Sequence, residues 1–312
     1  MNPNTVSLVL GSGGARGYAH IGVIRALTER GYDIRGVSGC SMGAMVGGVY
    51  CAGKLDAFEQ WARSLTYLEV IKLVDLSFLS SGAIRGDKVF SLLKDMLEDA
   101  EIEDLPKPFT AVAADLTNQK EVWFRHGPLE EAIRASCAIP SLIKPVVSRG
   151  RLLVDGGVLN PLPIAPSVSV HANHVIAVDL SADVAMPRSA RTQNEARARF
   201  EVEEKRSWVD SLKSKALNWM SDKDAEAGSY AVNDGLGKLD VMYQMFETMQ
   251  ASLTQYKIAG YRPDLLIRVP KDSLQIYEFY RAEQQIQLGY DIAHEALEAY
   301  ENGVANAYGL SG

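Results

Sequence analysis

The sequence predicts an α/β protein with a mainly parallel central sheet and a sharp strand-to-helix elbow after an early strand. Three observations carry this. Residues 6–52 hold two successive units of apolar strand, glycine-bearing turn and helix, which implies parallel strands with helices on the sheet faces. Further short apolar runs at 109–114, 151–155, 175–180 and 265–269 alternate with helical patterns. The 312 residues, 47% hydrophobic and 23% charged, are ordinary for a water-soluble globular chain and sufficient for one large core.

In chain order, 6–10 is an apolar strand that runs into Gly11-Ser12-Gly13-Gly14-Ala15-Arg16-Gly17, followed by a helix through Tyr18, Ile21, Ile24 and Leu27 that stops at Gly31. In that context successive loop amides can converge on an anion, either a phosphate or the oxyanion of an acyl-transfer intermediate. The loop lacks the Lys-Ser/Thr ending of a P-loop, and the position where a dinucleotide fingerprint needs its last glycine is Arg16. A plain tight turn is the remaining alternative.

Residues 34–37 form the second strand and lead into Gly39-Cys40-Ser41-Met42-Gly43 and a helix over 42–52. A serine framed by glycines two positions to each side suits a nucleophile elbow. The serine takes strained backbone geometry, and Gly39 and Gly43 let strand and helix nearly touch. Five residues alone would equally fit an ordinary turn. Both loops follow strands, and open α/β sheets place their sites at the carboxyl ends of strands.

Residues 55–79 mix helix and loop, with Trp61, Leu65, Leu68, Ile71 and Leu76 expected in the core. A helix over 87–97 is expected to turn Val89, Leu92, Leu93 and Met96 to one side. Pro106 and Pro108 break the chain before a strand at 109–114, and a further strand follows at 121–125. A helix over 129–136 ends near Pro140. The strand at 151–155 closes on Asp155-Gly156-Gly157, where Asp155 is either a turn-forming residue or a carboxylate held by a tight backbone turn.

Residues 181–235 are dense in charge and read as a helical excursion or lid-like insertion; Leu212, Leu217, Trp219 and Met220 fit one side of a helix there. A long helix over 236–258 carries Leu239, Met242, Met245, Phe246, Met249 and Leu253, expected as core or as a homodimer face. A strand at 265–269 and a helix over 286–300 close the chain.

Net charge of -7 argues against a general nucleic-acid binder. Cys40, Cys51 and Cys137 show no CxxC spacing and read as buried free thiols in a reducing compartment. The first residues lack a signal-peptide pattern and no run of eighteen apolar residues occurs, so the expectation is cytoplasmic, with peripheral contact at the inner membrane surface left open. His171 and His174 have no third ligand in register, so no metal is expected.

With the glycine loop, Gly39 to Gly43 and Asp155-Gly156-Gly157 taken together and in that order, the chain resembles the bacterial patatin-like phospholipases, in the small subgroup related to the neuropathy target esterase catalytic domain. The likeness is strongest over residues 5–180. It implies one patatin-like three-layer α/β/α domain over 1–312 and hydrolysis of acyl esters of phospholipids, lysophospholipids or simple fatty acyl esters, without a cofactor. It places the nucleophile on Ser41, the catalytic aspartate on Asp155 and the oxyanion hole on Gly13 and Gly14. Arg16, Gly39, Gly43, Gly156 and Gly157 take supporting parts. Ser12 departs from the family's first glycine. Two other readings stay open: a Ser-Asp-His triad drawing on His171, His174, His20 or His294, and a non-catalytic regulatory adaptor of the same fold.

Overall fold

The strand β1 (Thr5–Leu10) is buried along its whole length in the computed structural model, as an apolar run covered on both faces must be. The structure describes residues 3–67, 69–70, 87–140, 143–187 and 238–303. After β1 come α1 (Ala19–Glu29), β2 (Asp33–Cys40), α2 (Met42–Cys51), α3 (Leu55–Ser64) and α4 (Asp87–Leu97). Then follow β3 (Phe109–Asp115), β4 (Lys120–Phe124), α5 (Leu129–Ser136), β5 (Val146–Ser148), β6 (Arg151–Asp155) and the short α6 (Ile164–Ser167). The last elements are β7 (His174–Ala182), α7 (Lys238–Gly260), β8 (Leu265–Pro270) and α8 (Ala282–Glu301).

The sheet runs β5-β6-β3-β2-β1-β7-β8, with β4 paired to β3 beside that path. Strands β3, β2, β1, β7 and β8 are parallel to their neighbours along this row, whereas β4 and β6 meet β3 antiparallel and β5 meets β6 antiparallel. The centre is thus the expected parallel α/β sheet with an antiparallel margin.

That margin positions the site. Ala111 and Val112 of β3 pair with both β2 and β4, and Ala113 to Asp115 pair with both β4 and β6. Strand β4 therefore holds one flank of β3, and β2 and β6 follow one another along the other flank. Cys40, the last residue of β2, stands opposite Val112, and Asp155, the last of β6, stands opposite Ala113. Two strands entering from opposite ends bring their carboxyl termini together there.

Two expectations need correction, and one strand was not expected. The buried stripe of α4 is Phe90, Leu93 and Leu97, with Leu92 43% exposed, so the helix is rotated by about one residue from the predicted face. Helix α7 buries Gln250, Thr254 and Ile258, while Met242, Met245 and Met249 are exposed; the methionines are not core. The three-residue β5 had no strand signal, being too short for an alternation to show.

The chain divides into two units, 1–184 with 242–312, and 185–241. Leu68, Ile71, Leu76 and most of the 181–235 excursion, including Leu212, Leu217, Trp219 and Met220, lie outside the described residues.

Candidate active site

Strand β2 turns into α2 at Ser41, whose φ of 56° and ψ of −124° lie where a residue with a Cβ is strained. A side chain on Gly39 would strike the Gly43 carbonyl, and one on Gly43 would strike the Leu10 carbonyl, so both glycines are required by close backbone approach. The strained turn is clamped from α5. Ser41 N donates to Ser136 Oγ at 2.9 Å, Ser136 Oγ donates to the Val112 carbonyl at 2.6 Å, and Cys137 Sγ donates to the Ser41 carbonyl at 3.1 Å.

Asp155 is held as firmly. Its amide donates to the Ala138 carbonyl at 2.8 Å. Its Oδ1 accepts from Gly157 N at 2.7 Å and from the more distant Cys40 Sγ at 3.8 Å. Its Oδ2 is buried and has no hydrogen-bond partner among the described residues. Burial pushes the Asp155 carboxyl up to about 6, against the opposing influence of the neighbouring Ser41 hydroxyl, the Gly157 amide and the Cys40 thiol. The Ser41 hydroxyl neighbours this carboxyl, and the pair makes no hydrogen bond of ordinary geometry.

Four amides of the glycine loop are tied down. Gly11 N donates to Val178 O, Ser12 N to Pro161 O, Ala15 N to Ile276 O and Arg16 N to Gly13 O. The amides of Gly13 and Gly14 have no acceptor among the described residues. Gly14 has φ of +56°, and a side chain there would meet the Ile276 backbone.

Arg16, expected in a supporting part, is only 4% exposed and spends its guanidinium on structure. Its Nε donates to Gly13 O at 3.2 Å, Nη1 to Lys271 O at 2.8 Å and Nη2 to Glu247 Oε1 at 2.6 Å. Gln250 of α7 adds a second tie, Nε2 donating to Ser12 Oγ at 3.1 Å, and its side chain also packs where Gly157 lacks one.

Ser41 and Gly14 line one cavity of about 190 Å³ whose remaining walls are almost wholly apolar, among them Met45, Trp61, Val89, Phe90 and Ile139. Such a space suits a hydrocarbon chain better than a charged or sugar-like group.

The histidines lie elsewhere. His174 pairs in register with Val6, at the opening end of β1, and its Nδ1 shares a hydrogen bond with Tyr300 Oη at 3.0 Å. His171 is exposed, and His294 lies beside Arg30. His20 is fully buried under the glycine loop, Nε2 at 2.8 Å from the Gly11 carbonyl, and burial pushes its pKa down to about 4. No histidine hydrogen-bonds to Ser41 or Asp155 among the described residues.

Ser136, Cys137 and Gln250 are the members that sequence reasoning missed. Ser136 and Cys137 sit at a helix end that signals only a stop, and Gln250 lies among methionines that draw attention to the opposite face.

The patatin-like phospholipase family model matches residues 8–168. An NTE family protein of Mycobacterium tuberculosis is 43% identical, the match covering 95% of this chain and 92% of that protein. Human patatin-like phospholipase domain-containing protein 6 is 27% identical over 96% of this chain and 21% of its own length. The crystal structure of VipD from Legionella pneumophila superposes with a TM-score of 0.56 at 16% identity, covering 96% of this chain and 67% of that one, a likeness of fold.

Proposed function

The chain belongs to the patatin-like phospholipase family, and from that premise we propose that it hydrolyses acyl ester bonds of phospholipids or lysophospholipids through a Ser41–Asp155 dyad. The observation that carries this is Asp155 Oδ2, a buried carboxylate oxygen left without a partner beside a serine held in a strained elbow. An unpaired buried carboxylate oxygen is costly and persists where it has work to do.

In the proposed reaction, Ser41 Oγ attacks the ester carbonyl and its proton passes to Asp155 Oδ2. The carbonyl oxygen becomes an oxyanion that the Gly13 and Gly14 amides stabilise. Collapse of the tetrahedral intermediate breaks the bond to the alcohol, which takes the proton back from Asp155. Water then repeats the sequence on the acyl-enzyme and releases the fatty acid. A carboxyl pushed up to about 6 is a better base than one at its ordinary value, yet is still mostly ionised at neutral pH.

The acyl chain occupies the apolar cavity beside Ser41. No helix among the described residues is long and apolar enough to cross a membrane. In this reading the enzyme is cytoplasmic. A panel of phospholipids and lysophospholipids incubated with wild type and Ser41→Ala, with products read by mass spectrometry, tests this. Fatty acid and deacylated lipid should appear with wild type alone; equal product from both proteins, or none from either, would refute it.

A further inference from the structure

We propose that Trp61 sets the longest acyl chain this protein accepts, as the main part of a wall between the cavity at Ser41 and a second, smaller apolar cavity behind it. The inference rests on the reading of Ser41 as the nucleophile and names a specificity determinant of that same site. The second cavity measures about 10 Å³ and reaches Leu92, Leu93 and Met96 of α4. Met45, Trp61 and Val89 line both cavities, so these three side chains are the partition.

The three come from different elements: Met45 from α2, one turn beyond Ser41, Trp61 from α3 and Val89 from α4. A chain that leaves Ser41 along the apolar cavity meets their common face. The wall is braced rather than loose. The Trp61 ring packs on Phe58 with centroids 5.5 Å apart, and Phe58, itself buried, packs on Tyr18 at 6.4 Å. Beyond the wall the small cavity is lined by Leu92, which is 43% exposed, and by the buried Phe58 and Leu93.

Of the three, Trp61 has the largest side chain and is only half-buried, so its removal joins the two cavities while disturbing the core less than loss of Met45. Each methylene that enters newly opened apolar space strengthens binding roughly fourfold. Chains too long for the first cavity gain this in the variant, and short chains do not.

The test is kcat/KM for p-nitrophenyl esters from butyrate to palmitate, on wild type, Trp61→Ala and Val89→Ala, with active protein counted by a short alkyl fluorophosphonate. Wild type should show a cut-off in chain length, and Trp61→Ala should move it about two methylenes longer, raising the long-to-short ratio roughly fifteenfold. Val89→Ala, which trims the same wall from α4, should move it the same way by less, and keeps the test decisive should Trp61→Ala fail to fold. Unchanged chain-length profiles in the variants of an active enzyme would overturn the wall. Absence of any ester cleavage and of labelling in folded wild type would overturn the assignment of Ser41 instead.

Discussion

The Ser136 hydroxyl accepts the Ser41 amide hydrogen at 2.9 Å and donates its own to the Val112 carbonyl at 2.6 Å. One small side chain thus ties the strained elbow to the middle strand of the site, and it is fully buried while doing so. Removing it takes the acceptor from the Ser41 amide and one donor from the Val112 carbonyl, at the turn that carries the candidate nucleophile. Ser136→Ala should cost about 1–3 kcal/mol of stability. It should lower kcat by roughly a hundredfold, since a displacement near 1 Å has that cost, with little change in KM. Chemical denaturation and ester kinetics on the same preparations check this; full kcat in the variant would contradict it.

Asp155 predicts a pH dependence of both rate and stability. The base must be ionised, so kcat/KM should fall as pH drops through about 6. The stability effect has the opposite direction. The folded pKa lies above the ordinary 3.8, so the contribution from protonated Asp155 is fully present below 3.8 and is lost as pH rises through about 6. Asp155→Asn, which keeps an acceptor for Gly157 N, should therefore be inactive yet more stable than wild type at pH 8, by on the order of 3 kcal/mol. The two proteins should converge in stability below pH 4. Urea titrations at both pH values read the difference.

Arg16 bridges three acceptors on three pieces of chain, which a lysine ammonium on a flexible stem does not reproduce. Arg16→Lys should leave the charge in place and still lower kcat by roughly ten- to a hundredfold, because the Gly13 and Gly14 amides lose their support. Steady-state kinetics on a short-chain ester separate this from lost substrate binding, which would appear in KM.

His174 lies at the far end of the sheet from Ser41 and is tied to Tyr300. His174→Ala should keep kcat/KM within about twofold of wild type and lose about 1 kcal/mol of stability with the Tyr300 hydrogen bond. A loss of activity comparable to that of Asp155→Asn would restore the triad reading.

Elements with a strong local pattern were readable: the elbow at Gly39 to Gly43, the glycine loop and the helix over 129–136 follow from turn chemistry and periodicity. The meeting of Ser41 with Asp155 was not derivable from local pattern. It depends on β6 running antiparallel into the flank of β3 that β2 has just left, a register that no residue near Asp155 encodes. The likeness to a family is what put Ser41 and Asp155 forward as a pair.

Helix α7 misled for a related reason. Its buried face is polar at Gln250 and Thr254, and Gln250 faces the polar glycine loop, whereas hydrophobic patterning assumes an apolar neighbour. On α4 the apolar residues spread over too wide an arc, so Val89, Leu92 and Met96 could not be told from the buried Phe90, Leu93 and Leu97.

The most direct test of the central claim is covalent labelling with an alkyl fluorophosphonate, read by intact mass and peptide mapping on wild type, Ser41→Ala and Asp155→Asn. Wild type should carry one adduct per chain, on Ser41, Ser41→Ala should carry none, and labelling of Asp155→Asn should be slowed by orders of magnitude. A folded wild type that takes no label, or an adduct that survives Ser41→Ala, would contradict it.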